Sequence, residues 1–104
     1  EGNERWVGGD WGRTTMRGAE LPGADLREAD LIEGDLYEAD LENANLTGAN
    51  LGGADLTNVN LTGANLFGSN APDHRLLRAK SLEGTIMPDG EPFENWKDRR
   101  ENDL

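Results

Sequence analysis

The sequence contains no cysteine, so disulfides and thiolate chemistry are excluded and the redox compartment cannot be read from it. It has one histidine, His74, and a lone histidine with no nucleophile or second ligand in a recognisable pattern reads as structural rather than catalytic. No apolar run approaches the length of a membrane span, and no signal-peptide pattern is visible. The sequence begins at Glu1 rather than methionine, which leaves two expectations of place: the cytoplasm, or a lumen or periplasm if a signal peptide was removed ahead of Glu1. Basic residues are scarce, with 10 Lys and Arg against 21 Asp and Glu, for a formal charge of −11. That argues against direct nucleic-acid binding and against docking on anionic lipid, and it favours a basic protein partner. At 104 residues the chain suffices for one domain and not comfortably for two. High charge with modest apolar content would suit a disordered chain, were it not for one further property.

That property is a five-residue period. Leucine recurs at Leu21, Leu26, Leu31, Leu36, Leu41, Leu46, Leu51, Leu56, Leu61 and Leu66. A small residue stands two places before each, as Ala19, Ala24, Ala29, Gly34, Ala39, Ala44, Ala49, Ala54, Val59 and Ala64. On a helix five residues turn about 500°, so the leucines would spiral round every face. In a continuous strand five is odd, and successive leucines would alternate between faces. Neither makes a core, so the chain must bend once per repeat. In "ANL" the alanine and leucine point to one side of a short strand and the residue between them points outward. The next two residues make a corner. The same count extends back to Met16, Trp11 and Trp6, and forward to Ala71, Leu76, Ser81 and Ile86, with His74 and Gly84 in small-residue slots.

These A[DN]LXX units resemble the pentapeptide repeat family over residues 9–87. The resemblance implies an all-β fold, a right-handed quadrilateral (four-sided) parallel β-helix of about four coils. A period of five fits three sides as well as four, so the four sides rest on the resemblance. Residues twenty apart then stack, giving inner columns Leu26–Leu46–Leu66–Ile86, Trp11–Leu31–Leu51–Ala71, Met16–Leu36–Leu56–Leu76 and Leu21–Leu41–Leu61–Ser81. From Asn43 onward the corners end in Gly or Asn, which accept positive φ and predict type II turns. Glu28, Glu33 and Glu38 end the three corners before, and other turns are expected there.

Outside the repeats, residues 1–8 read as an N-terminal cap or tail, and Trp6, Trp11 and Met16 as an aromatic-rich lid on the exposed floor of the coil. Residues 88–104 read as a turn and a short capping helix, with Pro92 at its first position and Phe93 and Trp96 on one face. Phe93 and Trp96 are accordingly expected to contact either the last coil or a second copy, making the chain a monomer or a dimer through a terminal end. The stretch "SNAPDHR" breaks the pattern at Pro72 and His74, and a bulge or altered corner is expected.

A packed leucine–alanine column offers no pocket for catalysis, and the chain reads as a non-enzyme with no cofactor and no metal. The calcium-binding β-helix repeat has nine residues and a G-G-x-G-x-D motif, which "GGADL" at 52–56 does not match. What does stand out is charge. Nine of the ten acids within residues 20–66 lie between Glu20 and Glu42, a little over one coil. Asp25, Glu28, Asp30, Glu33, Asp35, Glu38 and Asp40 form the candidate partner-binding belt, which also fits a merely solvated face. Ile32, Tyr37 and Leu77 add outward apolar side chains, Tyr37 and Leu77 in one column. The reading is a rigid acidic protein-interaction or scaffold module whose partner the sequence does not name. Two alternatives come from the family. One is a DNA mimic that binds type II topoisomerase (gyrase), whose known examples are larger. The other is a small exported protein of the lumen or periplasm, of a kind common in cyanobacteria, which the "LEGTIMPDG" tail resembles.

Overall fold

The structure is a computed structural model, and it describes residues 6–102. Parallel bridges join Asp10 to Asp30, Asp30 to Asn50, Asp35 to Asp55 and Asn45 to Asn65, each pair twenty residues apart. One coil is therefore four five-residue repeats. Among the described residues the first bond between coils is made by Trp6, whose N–H donates to Asp25 O at 2.7 Å. Each repeat contributes only a short extended segment, and a turn follows it.

The inner columns hold as the spacing predicts from Met16 to Leu76. Every central leucine from Leu26 to Leu66 is about 99% buried or more, with Ala24, Ala29, Ala39, Ala44, Ala49, Ala54, Val59 and Ala64 behind them. Burying a leucine is worth roughly 1.5–3 kcal/mol, so this regular stack supplies most of the stabilisation.

The turns differ from expectation at three corners. Glu28, Glu33 and Glu38 have φ of 59°, 56° and 61°, the same as Asn43 (61°) and Asn58 (60°). At each, the N–H of the next residue closes the turn on the carbonyl three residues before it, as in Ala29 N–H to Leu26 O at 3.1 Å. The glutamates thus make the same turn as the glycines, and the expectation of a different turn there is wrong. The stack imposes it. Each corner N–H must reach a carbonyl in the next coil: Glu28 to Thr47 O (2.9 Å), Glu33 to Gly52 O (2.7 Å), Glu38 to Thr57 O (3.0 Å). Losing such bonds outweighs the roughly 1–2 kcal/mol that an L-residue spends in the left-handed region. The next coil makes room as well. A Cβ on Gly53 would lie 3.0 Å from Glu33 Cγ, so the glutamate side chain lies across a glycine.

The columns also change after Ala71. Residues Asp73–Leu76 form a single helical turn, α1, after extended Pro72 (φ −75°, ψ 151°). His74 rides on α1 and is exposed rather than filling an inner slot. Side chains take over where the ladder breaks. Asn70 Oδ1 accepts Leu51 N–H at 2.6 Å, and the Arg75 guanidinium donates to Ala54 O at 2.9 Å. One extra residue then enters. Lys80 N–H donates to Val59 O and Leu61 N–H donates to Ser81 O, so two residues oppose Asn60 in a β-bulge. The register moves on by one, and Leu82 and Met87 become the central residues in place of Ser81 and Ile86. The hydrophobic pattern selects this register, because the unshifted one would bury Ser81 and expose Leu82. Gly84 accordingly sits at a corner (φ 70°). Thr85 fills the inner slot, with its hydroxyl bonded to Leu61 O at 2.6 Å.

Both ends carry aromatic pairs that pack on the core. Trp6 and Trp11 stand with ring centroids 4.3 Å apart, and both are partly buried against the cluster. At the other end helix α2, Phe93–Asn102, follows Pro92, which lies one residue ahead of the helix rather than at its first position. Trp96 is buried, and Phe93 lies 5.9 Å from it, ring to ring. Arg100 stacks over Trp96 at 4.8 Å and pairs with Asp73, while Arg99 pairs with Asp89 and Glu91. Among the described residues no helix is long and apolar enough to cross a membrane.

Candidate functional site

The seven acids of the expected belt fall into two structural classes. Asp25, Asp30, Asp35 and Asp40 occupy the middle of the short segments and are half-buried. Each turns one oxygen back to the N–H two residues on: Arg27 (3.4 Å), Ile32 (3.1 Å), Tyr37 (3.2 Å) and Glu42 (3.1 Å). The same bond recurs at Asn45, Asn50, Asp55, Asn60 and Asn65. This is the side-chain-to-backbone turn that Asp and Asn are built for. The carboxylates are thus partly committed to shaping corners, a role the sequence reading did not assign them. The signal was present in the alternation of Asp and Asn at one position, since the two share an acceptor oxygen and not a charge.

Glu28, Glu33 and Glu38 are different. Their positive-φ corners project them into solvent on three successive corners of the coil spanning residues 26–45.

The belt is less negative than its sequence. The preceding coil brings Arg13 to Glu33 (2.9 Å) and Arg17 to Asp35, and Arg27 grips Asp25 with two bonds of 2.8 Å. Asp35 raises the Arg17 pKa, and Asp25 raises that of Arg27, each through its hydrogen bond first and its charge second. Asp55 sits directly over Asp35. The Thr57 hydroxyl, then its backbone N–H, hold the Asp55 carboxyl below the usual carboxylate range, with Arg17 and Arg75 adding attraction. The stacked carboxylates are therefore flanked by cations rather than left to repel.

Of the apolar residues singled out, Ile32 is half-buried between glycines. A Cβ on Gly12 would lie 3.0 Å from its Cγ2, and one on Gly52 would lie 3.8 Å from its Cγ1. Tyr37 is half-buried under Arg17, 5.1 Å from guanidinium carbon to ring centre. Leu77 is 56% exposed. It does not continue the Tyr37–Thr57 column at the backbone, since Asn58 N–H bonds to Arg78 O instead. Phe67, 52% exposed at another corner, was not anticipated as an outward apolar site. Among the described residues, two of the surface clefts bear on these positions. The larger, about 650 Å³, lies between α2 and the last coil and includes Leu77, Lys80, Leu82, Phe93 and Lys97. The second, about 520 Å³, runs past Glu38, Asp40, Asn58, Asn60 and Lys80. Among the described residues no three His, Asp or Glu side chains are placed to hold a metal ion.

Comparison with known proteins agrees with this architecture. The family model for pentapeptide repeats matches eight copies over residues 5–32 and 35–70. Among solved structures the chain is similar to Rfr23, a pentapeptide repeat protein from the cyanobacterium Cyanothece 51142. Identity is 34% and the TM-score 0.64, over 85% of this chain and 56% of that one. It is also similar to a pentapeptide repeat protein of the Arabidopsis thaliana thylakoid lumen, at 28% identity and TM-score 0.54, over 84% and 63% of the two chains. QnrB1, a plasmid-mediated fluoroquinolone resistance protein, shares the fold at 15% identity and TM-score 0.72, over 94% and 44%. The chain thus spans 44% to 63% of the length of these three proteins. No protein of curated function matches it by sequence. Eight matched repeats, filled leucine columns and a twenty-residue bridge spacing lead to one statement: the chain belongs to the pentapeptide repeat family.

Proposed function

We propose that this chain is a non-enzymatic interaction module that holds a basic segment of a partner protein against its N-terminal coils. The observation that carries the reading is the division of the acids. Glu28, Glu33 and Glu38 are projected from corners while the half-buried aspartates hold those corners in place. A twenty-residue spacing supports a four-sided cross-section, and the family supports its right-handed winding. In this reading Trp6, Trp11 and α2 cap the two ends, so that the walls and corners are what the molecule offers a partner.

The test is affinity capture from the source cell, comparing wild type with the triple variant Glu28→Gln, Glu33→Gln, Glu38→Gln. Wild type retains a partner that elutes with salt, and the triple variant does not. Equal retention by both would remove the corners from the interface. A DNA-mimic role against a topoisomerase has less support, because Arg13, Arg17 and Arg27 neutralise Glu33, Asp35 and Asp25. The likeness to QnrB1, at 15% identity, concerns the fold alone. Gyrase supercoiling is expected to proceed unchanged in a large excess of this protein.

A further inference from the structure

Exposed Arg78, Lys80 and Lys97 have no carboxylate at ion-pair distance among the described residues. Two of the three belong to a pattern. At one corner Glu38 N–H donates to Thr57 O (3.0 Å) and, one coil on, Asn58 N–H donates to Arg78 O (2.9 Å), so Glu38, Asn58 and Arg78 follow one another along this edge. On the adjoining wall Asn60 lies over Asp40, through Asn60 N–H to Ala39 O (3.0 Å), and the bulge sets Lys80 together with Ser81 against Asn60, through Lys80 N–H to Val59 O (2.8 Å) and the Asn60–Ser81 bridge. Both columns read negative, neutral, positive across two coil spacings, about 9.6 Å. The shallow groove of about 520 Å³ follows this wall from Glu38 and Asp40 to Lys80. Apolar surface marks both ends: Tyr37 beside Glu38, and exposed Leu77 beside Arg78.

A column ordered in this way is complementary to itself only when one copy is turned end over end. A parallel copy sets like charge against like. An antiparallel copy, related by a two-fold axis at the Asn58–Asn60 rung, sets Glu38 and Asp40 against the Arg78 and Lys80 of the second copy, and does so twice. It also brings Leu77 over Tyr37. That is an isologous contact, the commonest kind in soluble homodimers. The geometry points to this wall as the interface between two copies of the chain, packed side by side and antiparallel. The contact shares Glu38 with the proposed partner-binding corners, and it is tested on the chain alone, with no partner present. Its affinity is modest. A charge of −11 per copy opposes approach at low salt, and high salt screens the exposed pairs, so association is strongest at intermediate ionic strength.

Sedimentation equilibrium of the 104-residue chain up to about 1 mM tests this. The wild type is expected to show a monomer–dimer equilibrium. Arg78→Glu and Glu38→Lys should each weaken it by about tenfold or more, and the double exchange should restore it. Leu77→Ser should weaken it as well. All three positions are exposed or half-exposed, and circular dichroism checks each fold. Lys80→Glu, which faces Asp40 of the second copy, should weaken the dimer as well and serves if Arg78→Glu does not fold. A monomer at every concentration would overturn the inference. So would a dimer indifferent to Arg78→Glu, or one that the exchange fails to restore.

Discussion

Asp30 and Glu33 lie three residues apart and carry the same charge, yet the fold uses them differently. Asp30 is half-buried with Oδ1 on Ile32 N–H, whereas Glu33 stands at a positive-φ corner, paired with Arg13. The role of Asp30 depends on an acceptor oxygen rather than on charge. Asp30→Asn should therefore leave stability within about 0.5 kcal/mol in urea titration, while Asp30→Ala should cost about 1 kcal/mol. Asp55 adds a pH dependence. Its folded pKa is depressed, so its contribution is present above the unfolded value of about 3.9 and is lost as pH falls through the lower folded value. The acid limb of a stability–pH profile should flatten in Asp55→Asn. Sequence could place every one of these acids outward. The twenty-residue stacking implied by the resemblance already set Arg13 beside Glu33, a pairing the sequence reading did not draw, whereas Arg17 reaches Asp35 across eighteen residues and only the folded side chains show it.

At the scale of the element, the repeat was legible where one rule governs it. From Met16 to Leu76 every fifth residue is buried, because the small residue and the leucine share one side of a short segment. The corners were misread because glycine preference is a local cost, whereas the turn is dictated by hydrogen bonds to the next coil. The break at "SNAPDHR" was legible as a break, but its content was not. A helical turn and a one-residue bulge leave no mark on a five-residue count except that Leu82 and Met87 fall one place late. Helix α2 was legible from Pro92 and the Phe93–Trp96 spacing, and its energetics follow from burial. Trp96→Ala should cost about 3–5 kcal/mol. Arg100→Ala should cost about 1 kcal/mol or less, since its ion pair with Asp73 is half-exposed. Thermal unfolding of the two variants separates packing from charge at this end.

Over the whole molecule, the coils stack into a body of 37 × 23 × 21 Å. Charge is graded along it. Residues 26–45 carry six uncompensated or partly compensated acids (Glu28, Asp30, Glu33, Glu38, Asp40 and Glu42), the coil above is amide-rich, and unpaired cations gather near α2. Stability in such a stack is approximately a sum over neighbouring coils, so a surface can be altered in one coil without loss of the others. That separability makes the interaction reading testable by surface changes alone. The decisive measurement is calorimetric titration of the captured partner's basic segment at two ionic strengths, against wild type, the triple corner glutamine variant, and Asp30→Asn. The account predicts an affinity that falls with salt, falls about tenfold or more in the corner variant, and changes little in Asp30→Asn. Binding that is indifferent to salt and to the corner glutamates would contradict it.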